Sequence, residues 1–303
     1  MQCIFCHKDS SISKSVEHII PESLGNKHHF LSKGYVCDEC NHYFAIKIEN
    51  ELLSQPYFVS LRFRNEISTK KGKLVRQKMF FPGALKSTDV VMQTTDDGVI
   101  VSFDDEEIFE AIKAGKSREM ITPYIPEPEY PNKIMSRFLA KCAYEHFLYN
   151  MGKEQYDLCV QELLCEESDI LKALREYARY GKGEYWQYNQ RRIYSEGAFF
   201  VHKDKDGRGC YEILHEMKFF TKEHKRYSTG QVEAEIYFVM AIAGIEYAMC
   251  ISDPSITEYQ KWIDEHNGRS PLSDDDEIQI FSKSDVDPLF IGMDAGKLEK
   301  RRQ

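Results

Sequence analysis

The chain has no long uninterrupted apolar run, no excess of positive charge and no internal repeat. Its longest apolar stretch, Ile236–Ile251, is broken by Gly244 and Glu246, so it does not read as a membrane span, which takes about 20 apolar residues. The opening Met1-Gln2-Cys3-Ile4-Phe5-Cys6 lacks the charged start and apolar core of a secretory signal. A cytoplasmic location without a membrane partner is therefore expected. A net charge of -9 excludes a protein coated all over for DNA. A local basic track still suffices for phosphate binding, which depends on where the cations sit. In a reducing compartment the nine cysteines read as thiols or metal ligands rather than disulfides. Cys142, Cys159, Cys165, Cys210 and Cys250 lie in apolar surroundings and read as small buried hydrophobes.

Composition divides the chain into a segment 1–58, a connector 59–86 and a larger remainder 87–303. The first holds four cysteines and five of the ten histidines. Asp104-Asp105-Glu106-Glu107 opens a short helix, and Pro123–Pro131 reads as an extended linker. Asn132 is placed to cap a helix whose apolar positions Ile134, Phe138, Leu139, Cys142 and Leu148 recur at helical spacing, with Gly152 ending it. A second helix is expected from about Lys153 to Tyr180, with a break near Glu166–Ser168 and a stop at Gly181. Strands follow over Arg192–Val201, Tyr211–Phe220, Glu235–Ile242 and Ile245–Ser252, the last two joined by a tight turn at Ala243-Gly244. Separate runs of helices and strands predict an α+β fold. Nothing in 87–303 names a chemistry. His146 reads as a packed histidine, and the region's expected role is target choice, oligomerisation, a partner protein or regulation.

Chemistry concentrates at the amino terminus. Cys3-x-x-Cys6 and Cys37-x-x-Cys40 bring four thiolates within reach of one tetrahedral ion, and a closed cysteine shell suits structural Zn2+. So short a segment also needs the metal energetically, because it buries little core. The 30 residues between Cys6 and Cys37 carry Glu17-His18-Ile19-Ile20-Pro21-Glu22-Ser23-Leu24-Gly25, and Asn41 directly follows Cys40. This order of CxxC, EHIIPxSLG and CxxCN resembles the HNH, or ββα-metal, endonucleases, in the branch with paired zinc knuckles.

The resemblance implies a β-hairpin bearing a general base, and a following helix bearing ligands for a catalytic ion. By position, His18 resembles the base that deprotonates the attacking water. Glu17 and Asn41 resemble the ligands of the catalytic ion, an oxygen pair that suits Mg2+ or Mn2+ better than zinc. The middle asparagine of the family pattern falls at Ser32 here, with Asn26 as second candidate. A histidine that some relatives carry one turn after Asn41 is replaced by Ala45. His28 and His29 read as solvated loop residues and His42 as a helix-surface residue, while Tyr43, Phe44 and Ile48 read as core. The resemblance implies phosphodiester hydrolysis, with double-stranded DNA as partner and a place in bacterial defence or restriction.

A basic run follows. Between Leu61 and Lys86 stand Arg62, Arg64, Lys70, Lys71, Lys73, Arg76, Lys78 and Lys86 against Glu66 alone. Leu61-Arg62-Phe63-Arg64 alternates like a strand, Lys70-Lys71-Gly72-Lys73 reads as a turn and Leu74–Lys78 as the return strand. Such a hairpin would track a phosphate backbone; the competing reading pairs these cations with the chain's own acidic patches. Two other function classes compete with the nuclease. A zinc module that binds nucleic acid or a partner without catalysis is favoured by Ser32 and opposed by the Glu17-His18-Asn41 set. A redox protein expects one CxxC at a helix start, not two pairs.

Overall fold

The computed structural model describes residues 1–26, 28–95, 97–149, 169–194, 199–204, 207–212, 215–225, 232–274 and 279–281, with 155 and 158 as single positions. In chain order the elements are β1 (Glu17–His18), β2 (Phe30–Leu31), α1 (Asp38–Phe44), α2 (Asn50–Leu53), α3 (Pro56–Arg64), β3 (Gln77–Phe81), β4 (Lys86–Thr95), β5 (Gly98–Phe103) and α4 (Glu106–Lys113). There follow α5 (Lys133–His146), α6 (Asp169–Tyr180), β6 (Asn189–Arg192), β7 (Phe199–Asp204), β8 (Gly207–Glu212), β9 (His215–Lys225), β10 (Val232–Ile242), β11 (Ile245–Cys250), α7 (Thr257–Glu265) and β12 (Gln279–Phe281). Every described strand pair is antiparallel, and the fold is α+β.

Two compact units form. One gathers Met1–Ile20, His28–Ile48 and Tyr130–Gln303, the other Pro21–Lys27 and Glu49–Glu129. The breaks at 58 and 86 suggested by composition do not separate bodies: α3 runs through residue 58, and β4 starts at Lys86 and pairs with β3.

In the first unit, α5 starts where its cap is. The Asn132 carboxamide oxygen accepts from the Ile134 and Met135 amides at 2.9 and 3.1 Å, satisfying donors that the first turn leaves open. Met135, Phe138, Leu139 and Cys142 form its buried stripe, and Lys141 and Glu145 are buried with them. α6 stops at Gly181, whose φ of 64° is left-handed and whose N–H reaches the Tyr177 carbonyl at 2.9 Å. The expected break near Glu166–Ser168 and the end at Gly152 lie outside the described residues. Strand order in the main sheet is β6-β11-β10-β9. The β10–β11 turn has φ of 47° at Ala243 and 81° at Gly244, both left-handed as a two-residue hairpin of this type demands. A Cβ on Gly244 would lie 2.8 Å from the Tyr194 carbonyl oxygen.

Two strand expectations are corrected. Arg192–Val201 is not one strand: β6 ends at Arg192 in the main sheet, and β7 starts at Phe199 in a separate sheet of order β12-β7-β8. Tyr211–Phe220 divides likewise between β8 and β9. Alternation along the chain reports the pleat but not which sheet a strand joins.

In the second unit, β3-β4-β5 pack Met79, Phe81 and Val90 against Phe63 of α3 and Ile108 of α4. Asp105 caps α4, accepting from the Ile108 amide at 3.2 Å. Leu61–Arg64, expected as a strand, is the end of helix α3. Pro56 opens that helix, and Tyr57, Phe58 and Leu61 supply a buried stripe at helical spacing. A four-residue alternation does not distinguish the two periods, and burial of the longer stripe decides. The turn at Lys70–Lys73 does form, closed by Thr69 N–H to the Lys73 carbonyl at 2.9 Å and Gly72 N–H to the Thr69 carbonyl at 2.8 Å. It leads from a helix into the strands. The return strand starts later, at Gln77, and its hairpin partner is β4, with Gln77 opposite Val90 and Phe81 opposite Lys86.

Candidate active site and metal centre

Cys37 caps α1, its sulphur accepting from the Cys40 amide at 3.4 Å. The first knuckle turns through His7 at a left-handed φ of 61°, with Cys3 N–H to the Lys8 carbonyl and His7 N–H to the Cys3 carbonyl, both 2.9 Å. These turns bring the Cys3, Cys6, Cys37 and Cys40 sulphurs within 4.8 Å of one another, and among the described residues they are the only such group of potential metal ligands. Cys6 and Cys37 sulphurs stand 3.6 Å apart. A tetrahedral zinc with bonds of about 2.3 Å has sulphur–sulphur edges of about 3.8 Å, so the cluster fits structural Zn2+. Crowding splits the thiol acidities: the hydrogen bond with Cys40 holds Cys3 down to about 5, while burial pushes Cys6 up to about 11.

The same unit wraps the knuckles with residues distant in sequence. Arg179 of α6 donates from Nε to the Cys40 sulphur at 3.3 Å, and its guanidinium lies 3.6 Å from the Tyr43 ring centre. Arg175 meets the His7 ring. Arg137 of α5 donates to the Tyr43 hydroxyl at 2.9 Å. Phe5 packs edge-on to Phe44 at 4.6 Å and tilted against Tyr144 of α5 at 5.3 Å. Phe44 and Ile48 are fully buried as core, and His42 is exposed on the helix surface.

Glu17 and His18 form β1, Glu17 opposite Leu31 and His18 opposite Phe30. Glu17 is buried and His18 half-buried, its Nδ1 shielded from solvent. Asn41 joins α1 to this strand: its amide nitrogen donates to the Val16 carbonyl at 3.0 Å. The contact ties the helix to the residue directly before His18's strand. Ser32 is exposed, and its carbonyl accepts from Tyr35 N–H in a turn. Asn26 is fully buried in the second unit.

Beside β1 lies a group that sequence reasoning missed. The Lys141 ammonium of α5 sits 2.6 Å from Glu17 Oε1 and 3.2 Å from Glu145 Oε2, and donates to the carbonyls of His18 at 2.7 Å and Ile19 at 3.3 Å. The Cys142 thiol donates to the same Ile19 carbonyl at 3.0 Å. A signal existed: Lys141 and Glu145 stand four residues apart within the apolar stripe of a helix, where charges are buried only as partners. As for a divalent ion, the donor chemistry of Glu17 and Asn41 fits one, since both offer hard oxygens. The ammonium already drawn to Glu17 marks the position as cation-attracting.

His146, at the end of α5, packs against Phe219, Phe238 and Tyr149 with ring centres 4.9, 5.5 and 5.6 Å away. Burial and the nearby His29 push it down to about 4, so it is a neutral, packed ring.

In the second unit the basic run is partly consumed. Arg76 pairs with Asp104 at 3.1 Å, and Lys86 with Asp105 and Glu107 at 3.0 and 2.9 Å, so the competing reading holds for these two. Arg62 is buried. Arg64, Lys70, Lys71, Lys73 and Lys78 are exposed. No described helix is long and apolar enough to cross a membrane.

Residues 3–56 match the family model described as HNH endonuclease. No curated protein and no solved structure matches the chain.

Proposed function

We propose that this protein is a nuclease that hydrolyses phosphodiester bonds of double-stranded DNA, supported by Mg2+ or Mn2+, with His18 as the general base. The observation that carries this reading is the tie between its two halves: Asn41, on the helix that Cys37 caps, holds the backbone at Val16, directly before the strand that presents His18. A base must be aimed at its water to be effective. Here a metal-stapled helix and a paired strand fix that aim without help from the substrate. Histidine is the side chain whose chemistry suits a general base near neutral pH. Glu17 and Asn41 would hold the divalent ion, which supplies positive charge against the phosphate. Bacterial defence or restriction is the setting we propose.

The test is plasmid incubated with the zinc-loaded full chain plus Mg2+, Mn2+ or EDTA. Nicking that depends on the divalent ion is expected. His18→Ala should lower it by about 10²–10⁴-fold while zinc content and DNA binding stay intact. Full activity in His18→Ala overturns the assignment of the base. Absence of cleavage with any ion, alongside intact DNA binding, assigns the chain to the binding-module class instead. Duplex DNA, single-stranded DNA and RNA compared as substrates decide the target.

A further inference from the structure

A buried ammonium is costly unless oxygens replace its water. Lys141 and Glu145 are fully buried and Glu17 is 4% exposed. Among the oxygens facing Lys141 Nζ are Glu17 Oε1, Glu145 Oε2 and the two carbonyls of His18 and Ile19. Two of them belong to the residue pair on which the proposed chemistry rests, yet Lys141 lies outside the stretch that matches the nuclease family. The Glu17 and Glu145 carboxylates both meet the ammonium, and the ammonium meets the backbone of the strand that presents His18.

We infer that Lys141 is a positioning residue and the resident cation of the site: it fixes the Glu17 carboxylate and the His18–Ile19 backbone, and it must leave Glu17 before Glu17 takes up a divalent ion. The inference rests on the nuclease reading for its meaning. Its geometry comes from a different helix, and so does its test. In the resting protein the ammonium does two jobs. It neutralises a carboxylate that burial alone would make unstable, and its carbonyl contacts hold β1 in register for His18. One cation position served in turn by a tethered lysine and a soluble ion makes the two mutually exclusive at Glu17. Divalent binding is then weaker than the donor set alone would give. Removing the competitor should reveal the difference.

The experiment measures Mn2+ binding to the zinc-loaded full chain by the spin-resonance signal of free Mn2+. Wild type is compared with Lys141→Gln, Lys141→Arg, Glu17→Gln and the double variant Lys141→Gln/Glu17→Gln. Lys141→Gln keeps a donor for the two carbonyls and loses the charge. It should bind Mn2+ about ten-fold more tightly than wild type, a coupling of the usual size between competing ligands. Lys141→Arg should stay near wild type, and the double variant should lose the gain. A merely structural lysine would weaken the fold without tightening any metal site. Should Lys141→Gln not fold alone, recovery of its far-ultraviolet circular dichroism with Mn2+, absent in the double variant, supports the same conclusion. Unchanged Mn2+ affinity in folded Lys141→Gln, or no recovery with Mn2+ in an unfolded one, overturns it. His18-dependent cleavage by wild type keeps the nuclease reading whatever Mn2+ does. A gain in Mn2+ affinity without cleavage keeps this inference alone.

Discussion

Removing zinc should damage far more than the short segment that binds it. Taken alone, residues 1–58 would unfold on chelation or in Cys37→Ser, since structural zinc contributes about 10–16 kcal/mol in isolated modules. The structure extends the damage. Phe5, Phe44 and Tyr144 are all but fully buried, and Phe5 of the knuckle packs against both Phe44 of α1 and Tyr144 of α5. Each such side chain returns about 1.5–3 kcal/mol to burial, so opening the knuckle forfeits about 5–9 kcal/mol across the three. It also takes Glu17 from Lys141, and a buried pair stripped of one partner costs about 3–5 kcal/mol. Those losses match the whole stability of an ordinary domain, about 5–15 kcal/mol. Arg179 loses both its sulphur and its ring. Hydrogen exchange read by mass spectrometry, with and without a zinc chelator, is the assay. Protection should fall together in 1–20, 28–44, 133–146 and 169–180. Retained protection in α5 and α6 while the knuckles exchange freely would refute the reasoning.

Two further outcomes follow from the same geometry. Neutralising Lys70, Lys71 and Lys73, which are exposed and form no ion pair among the described residues, should weaken binding to all DNA sequences alike. It should also flatten the salt dependence by about 0.9 for each phosphate that is no longer neutralised; an unchanged slope assigns these lysines to a plain solvated surface. His146 has a folded value of about 4 against about 6.5 unfolded. The unfolded chain therefore takes up a proton first as pH falls. Stability is full above about 6.5 and declines through the window down to about 4, by up to about 3 kcal/mol. Urea unfolding at pH 7 and 4.5 should show a smaller acid loss in His146→Gln than in wild type, and equal losses would mean that other groups govern this window.

What the sequence disclosed was local. Asn132 as a cap, Gly181 as a stop and Ala243-Gly244 as a hairpin turn each depend on a few neighbouring residues, and each stands where chain chemistry puts it. The errors arose where burial decides. Leu61–Arg64 alternates like a strand, but Pro56, Tyr57, Phe58 and Leu61 give a helix more to bury. The stretch Arg192–Val201 looks continuous, yet its ends pair in different sheets: Arg192 with Ile245 of β11, and Phe199–Val201 with β8 and β12.

The site divides along the same line. The two cysteine pairs were legible because they lie in a span short enough for spacing to carry geometry; the same span offered His18 and Asn41 as candidates. The contact of Asn41 with the Val16 carbonyl was not legible, because it joins a helix to a residue 25 positions earlier. Lys141, more than 120 residues from Glu17, was hidden further still, because no spacing rule connects a helix lysine to a strand glutamate. What betrays it is cost. A lysine in an apolar stripe must be compensated, its own helix offers Glu145 one turn on, and that single carboxylate lies 3.2 Å away while Glu17 is at 2.6 Å. The closer partner is the one from the family segment. The helix is thus charged to match a surface that the knuckle segment supplies, and the compact unit that holds the knuckles also holds α5 and α6.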